Sequence, residues 1–414
     1  MPRDSESRDT SEEQKRDNPR ELALALLAFT VCFYGWSILG PLGPEIQDKL
    51  HLSDTQLAIT LAVPVLLGSL MRVPFGIWTA RYGGRRVFTV LMAFTVLPLL
   101  GLAGFHSSWA AVLVFGFLLG FAGASFAVGV PFTNAWYRPA RQGFALGVYG
   151  MGMGGTVLAA LTAARIAKAT SLTVPFLVAA ALLAVTAVIF GLLAHDAPGS
   201  RSDRGGSMLA PLGVFKREGA ARAWALTLFY FMAFGGFVAM FLYLPKLLHG
   251  VHHLSKTDAS TRAAGFAVLA VLARPVGGWA ADRIGAKTVL AGSFIGTAAL
   301  AVVLALTYEQ MVPLTICCLT MAVCLGLGTG AVFKLVPLWF PTDVGAVTGV
   351  VGAAGGLGGF FPPLVMAVVK SQTGSYALGF VLMGAVALVA LAVLMAIERP
   401  RRTSPGLHRQ PAVS

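Results

Sequence analysis

The sequence predicts an all-α membrane protein of about twelve transmembrane helices in two six-helix halves. Three observations predict it. Of 414 residues, 56% are hydrophobic and only 12% are charged, whereas a soluble domain carries about 25% charged residues. Apolar runs recur near the ~20-residue length that a bilayer crossing requires. Two separate blocks of sequence repeat at one common offset. The mean hydropathy of +0.76 agrees: most of this chain must avoid water.

The elements follow in order. Residues 1–21 are polar and charged and lack the short basic start of a signal peptide, so they read as a cytoplasmic tail. The first apolar run is 22–43, and the second, 55–80, ends against Arg81. The third, 87–105, lies between Arg85–Arg86 and the polar HSS at 106–108. The fourth, 109–135, precedes Arg138 and Arg141, and the fifth, 143–167, precedes TSLT at 170–173. The sixth is 172–194. A Gly/Arg-rich polar stretch, 195–221, then reads as a linker between a bundle at 22–194 and a second at 222–397. In the second bundle the runs are 222–247, 259–281, 287–307, 310–338, 345–369 and 375–397, with a basic tail at 398–414.

Charge gives the orientation. Arginine and lysine concentrate in alternate loops, at 81–86, 138–141, 201–222 and 283–287, while the intervening loops are poor in them. The positive-inside rule puts the basic loops and both termini in the cytoplasm, as for a multi-pass protein of the inner cell membrane contacting lipid. The net charge of +13 is thereby topological, and no nucleic-acid partner is expected. Cys32, Cys317, Cys318 and Cys324 lie inside apolar runs and read as packing residues. His249, His252 and His253 fall in an outward-facing loop without further ligands, so no metal site is expected. No nucleotide-binding motif and no nucleophile–base pair is present. The chain therefore reads as neither an enzyme nor an ATP-driven pump, and no cofactor is expected.

The repeat is the most informative feature. RVPFGIWTARYGGRR, from Arg72, matches RPVGGWAADRIGAK, from Arg274, at an offset of 202 (274 − 72). Gly76 pairs with Gly278, Arg81 with Arg283, Gly83 with Gly285, and Arg85 with Lys287. The same offset relates Gly143, Gly147, Gly150 and Gly154 to Gly345, Gly349, Gly352 and Gly356. These glycines step by three and four, so each set lies on one helical face and suits close helix packing or a moving seam between the halves. Parallel six-helix repeats place a substrate between them at mid-membrane.

Arg72 and Arg274 both fall within apolar runs. A charge there costs several kcal/mol unless it faces a cavity or a partner, and the spans offer almost no central carboxylate. Two symmetry-related cations without acids call for an anion. Guanidinium is planar, permanently charged and forked, which suits a small planar oxyanion.

The G-x-x-A-D-R-x-G-x-K pattern from Gly278 to Lys287 resembles the loop motif of the major facilitator superfamily, with Ala80 replacing the acid in the first copy. GFALGVYGMGMGGTVLAA (143–160), GAVTGVVGAAGGLGGFFPPLV (345–365) and AVFKLVPLWFP (331–341) resemble signatures of its nitrate/nitrite porter family, assimilatory members included. The first signature departs at Met153, where Asn is usual. The resemblance implies the major facilitator fold. It also implies a substrate site of Arg72, Arg274, Tyr230, Phe126 and Phe333, with rings of the fourth and tenth helices flanking the anion. Gly147, Gly150, Gly154, Gly349, Gly352 and Gly356 would form the moving interface. Lys334, beside Phe333 but ~100° away on the helix, would add potential or hold a cytoplasmic gate. The implied activity is secondary transport of nitrate or nitrite by a monomer, expected to be uptake coupled to protons. Nitrate/nitrite exchange, transport of another small anion, and a non-transporting sensor stay open as alternatives.

Overall fold

The computed structural model describes residues 17–200, 210–217, 219–373 and 375–397. The tails expected at 1–21 and 398–414 lie outside them, apart from residues 17–21. The described residues form twelve long helical segments: α1 Pro19–Leu50, α2 Asp54–Tyr82, α3 Gly84–Phe105, α4 Trp109–Trp136, α5 Pro139–Ala169, α6 Thr173–Leu193, α7 Ala220–His252, α8 Lys256–Ala280, α9 Ala286–Thr307, α10 Met311–Trp339, α11 Val344–Thr373 and α12 Ala377–Ile397. Among the described residues there is no strand. Helices are expected here because lipid leaves no outside partner for backbone polar groups.

Local chemistry sets the ends. Asn18 caps α1 by accepting from the Glu21 N–H, with Pro19 at the first helical position. Ser53 and Gln56 form a reciprocal capping box at the start of α2. The α2–α3 and α8–α9 corners each turn on a glycine of positive φ, Gly83 at 88° and Gly285 at 90°. These two are related by the offset of 202, and both adopt backbone that a β-carbon would strain. The duplication read from the sequence is thus repeated in backbone geometry.

Two helices run longer than the apolar pattern indicates. α1 continues past residue 43 to Leu50, carrying GPLGPEIQDKL into the bundle. The apolar run stops at residue 43, before Glu45, Gln47, Asp48 and Lys49, but Leu39, Leu42 and Ile46 are buried, and the segment packs on α2 and α5, which overrides propensity. α7 likewise reaches His252. His249 and His252 are therefore last-turn residues rather than loop residues, bonded to Leu254 O and Tyr308 O, and His253 closes the turn at φ 55°.

The outer face is apolar: Val90, Leu97, Leu192 and Leu306 are 61–79% exposed, as lipid-facing residues are. The inner faces bring α2 against α11, α8 against α5 and α10, and α1 against α5 and α6. Local departures from α-geometry sit near the centre. α4 contains a 3₁₀ turn at Gly120–Ala124, α5 another at Met151–Met153, and α7 a π turn at Phe231–Gly235. Such turns re-aim the side chains beside them.

Candidate anion site between the two sets of six helices

Among the described residues, only three charged side chains are fully buried: Glu21, Arg72 and Arg274. Arg72 on α2 donates from Nε to Gly123 O at 3.1 Å and from a terminal nitrogen to Gly352 O of α11. Arg274 on α8 donates to Gly150 O of α5 at 3.1 Å. Each arginine thus reaches across to a glycine carbonyl in the other set of six helices, and the two pairs, 72 with 352 and 274 with 150, obey the same offset. Glycine permits it: a β-carbon at Gly352 would lie 3.2 Å from Arg72 Cδ, and one at Gly150 would lie 3.4 Å from Arg274 Cδ. The Arg274 Nε is buried with no hydrogen-bond partner, and neither guanidinium pairs with a carboxylate of the described residues. A buried donor left idle costs free energy, so Arg274 has room for one more acceptor.

Aromatic rings complete the walls. Phe126 from α4 and Tyr230 from α7 stack 5.9 Å apart at 8°, and Phe333 from α10 meets them edge-on at 4.8 and 4.7 Å. Phe234 stacks on Tyr230 at 5.0 Å. The guanidinium carbon of Arg72 lies 5.9 Å from Phe126 and 5.8 Å from Phe234, and that of Arg274 lies 5.6 Å from Phe234 and 5.7 Å from Phe237. The ring that meets both cations is therefore Phe234, which the sequence reading missed, and not Phe333. In FYFMAFGG it stands one turn after Tyr230, inside the π turn Phe231–Gly235. Replacing Phe234 by alanine removes a ring face from both arginines, each such contact being worth ~0.5–2 kcal/mol. The expected result is a roughly tenfold rise in the concentration of anion giving half-maximal transport, measured in vesicles.

Toward the end of the bundle that carries the arginine-rich loops, the basic end, the seam is tight. Gly76 abuts Gly345, and Gly278 abuts Gly143, so closely that a β-carbon on any of them would run into the opposite backbone. Gly147 and Gly349 pack on the backbone of Arg274 and Arg72, and Gly356 on Ser69. Gly154 lies apart, with open space where its side chain would be. Met153 is buried in the turn that packs on α1 and α8.

Lys334 has a partner that the sequence did not reveal. Its Nζ lies 2.6 Å from Asp282 Oδ1 and also donates to Pro139 O. The two Asp282 oxygens accept the Gly143 and Phe144 N–H groups at 3.0 and 2.7 Å. These N–H groups belong to the first turn of the regular α-helical part of α5, Gln142–Gly150, where a carboxylate is favoured. Asp282 was legible only as part of a loop motif, 52 residues from Lys334 (334 − 282). At the related position of α2, Ala80 offers no acid.

Known proteins agree with this architecture. The family model described as Major Facilitator Superfamily matches residues 25–261 and 251–413. A probable nitrate/nitrite transporter, NarK2, of Mycobacterium tuberculosis is 42% identical over 382 residues, covering 91% of this chain and 95% of its own. A probable nitrate/nitrite antiporter, NarK1, of Thermus thermophilus is 36% identical over 397 residues, covering 88% of each. The crystal structure of the transporter FucP in its outward conformation superposes with a TM-score of 0.75 over 92% of this chain and 99% of that one, at 16% identity, which shows a shared fold. With a family model spanning nearly the whole chain and relatives above one-third identity, this chain belongs to the nitrate/nitrite porter family of the major facilitator superfamily.

Proposed function

We propose that this chain exchanges nitrate and nitrite across the inner membrane by alternating access, as a monomer, with the basic end toward the cytoplasm. The observation that carries this reading is the pair Arg72 and Arg274, buried, without acidic partners among the described residues, and sharing the Phe234 ring. A flat monovalent oxyanion fits between forked donors and aromatic faces. The relatives named for nitrate and nitrite support the choice of ion.

What supports exchange is where the arginines are tied. The Gly352 and Gly150 carbonyls that receive them belong to the opposite set of helices, so rocking the halves apart breaks both bonds. Hydrogen bonds to charged groups are worth ~1.5–3 kcal/mol each. An anion in the site replaces those acceptors during the crossing, and an empty site has no replacement. Return of the empty carrier is then slower by about 10²–10⁴-fold, which makes obligate exchange the favoured cycle. The Lys334–Asp282 pair and the abutting glycines form the gate at the basic end.

Proton-coupled nitrate uptake is a second reading. It is favoured by Glu45, in the last turns of α1, whose Oε2 is buried without a hydrogen bond; proton-coupled carriers use sheltered carboxyls. Proteoliposomes separate the two. Exchange predicts nitrate entry only when nitrite or nitrate is inside, whatever the pH gradient. Entry into anion-free vesicles driven by an inward proton gradient, and abolished by Glu45→Gln, would establish the second reading instead. Folded protein that moves neither anion would remove the substrate assignment.

A further inference from the structure

The connection between α4 and α5, together with the start of α5, is gripped from two directions. From the last six helices, Lys334 holds Pro139 O, and Asp282 holds the Gly143 and Phe144 N–H groups. From the other side, Asp17, just ahead of α1, holds the same connection. Its Oδ1 accepts the Arg138 backbone N–H at 3.2 Å. Its Oδ2 lies 3.5 Å from the Arg138 guanidinium and 3.1 Å from that of Arg141. The Asp17 side chain is 14% exposed, so the carboxylate is sheltered although the arginines reach into solvent.

Asp17 is itself held in place. Asn18 next to it caps α1, Arg20 donates to Leu193 O at the end of α6, and the buried Glu21 accepts the His195 N–H at 3.1 Å. Trp136, at the end of α4, donates to His195 O. The start of α1 therefore staples the ends of α4 and α6 and the α4–α5 connection into one block.

We propose that Asp17 is a positioning residue of the gate at the basic end, shaping residues 138–144 into the surface that Lys334 and Asp282 grip. This deepens the gate reading given above and rests on it. All the bonds of Asp17 lie within the first six helices, so they persist when the gate opens, while those of Lys334 and Asp282 across the seam break. Asp17 thus acts on reclosure: it keeps one carbonyl and two N–H groups in register, so that closing does not have to order a free loop. Burial pushes the Asp17 carboxyl up, but hydrogen bonds from Arg138 and the charges of Arg138 and Arg141 outweigh it and hold it below its ordinary value. A carboxyl held low stays ionised above about pH 4, and its contribution is lost only as the pH falls through the lowered value, so the clasp stands throughout the physiological range.

The test reads gate opening directly. Ala80, whose side chain lies against Gly345 on the α2–α11 seam, is replaced by cysteine, and its maleimide labelling rate is measured in membranes open to the reagent from both faces. Protein without that substitution sets the background from the native cysteines. Asp17→Asn is expected to speed labelling about three- to tenfold, the size of a partly exposed charged hydrogen-bond network. Asp17→Glu is expected to restore the slow rate, and Lys334→Gln to exceed both. Fast labelling with Lys334→Gln but an unchanged rate with Asp17→Asn would overturn this proposal alone. Unchanged labelling in both would overturn the gate reading and this proposal with it. If Asp17→Asn fails to fold, Arg141→Gln removes the clasp from its other end and is held to the same two outcomes.

Discussion

Arg274→Lys is expected to lower nitrate counterflow by about 10²–10³-fold while leaving the protein folded and membrane-inserted. The substitution keeps one positive charge, so simple electrostatic attraction survives. What disappears is the fork. Arg274 uses one terminal nitrogen on Gly150 O and keeps its Nε buried and idle, so it can hold its carbonyl and an anion at once from a rigid plane. A lysine amine is a point donor on a flexible stem and must choose between them. Losing one or two charged hydrogen bonds of ~1.5–3 kcal/mol each sets the magnitude. Counterflow and direct nitrate binding, measured on protein of unchanged elution and helicity, check it. A loss below about fivefold would mean that the charge alone, rather than the fork, holds the ion.

Gly278→Ala is expected to abolish most transport by keeping the basic end from closing. The added methyl points into the Gly143 backbone, whose oxygen already touches Gly278. Backbone cannot rotate away as a flexible side chain can, so α8 and α5 must separate. Overpacking of this kind costs ~1–3 kcal/mol and more where the backbone is fixed. The same separation would pull Gly143 and Phe144 from Asp282. The expected outcome is at least a roughly tenfold loss of exchange rate, with the basic end open to thiol reagents and anion binding retained. Gly154→Ala is the internal control: that position faces open space, and its activity should stay near wild type.

Much of this architecture was legible because lipid imposes strong rules. Spans of 20 or so apolar residues, basic loops and a repeat at a single offset left few alternatives for the fold. The arginines were legible as well, since a lone charge in a span without carboxylates stands out. What escaped depended on distance or on local irregularity. Lys334 has no visible partner in the sequence because Asp282 lies 52 residues away, inside a loop motif. Phe234, one phenylalanine among 27, carries no mark of its own in the sequence, and its place beside both cations belongs to the three-dimensional packing. The end of α1 is not legible because the apolar run stops at residue 43, before the polar Glu45, Gln47, Asp48 and Lys49, whereas packing on α2 and α5 carries the helix on to Leu50. The glycine stripes were legible as seams, but not as the source of the carbonyls that tie the arginines.

Those two ties also bear on how such a protein could arise. Arg72 reaches Gly352, and Arg274 reaches Gly150; written in the numbering of a single six-helix unit, both are the same contact made twice. That is the rule of an isologous dimer, in which residue i of one subunit meets residue j of the other, and j meets i. A six-helix ancestor could not have built this clamp within one chain. Two copies facing each other about a two-fold axis would have built it at once. Fusion then freed each copy to diverge, as Ala80 and Asp282 have, without giving up the contact that made the pair necessary.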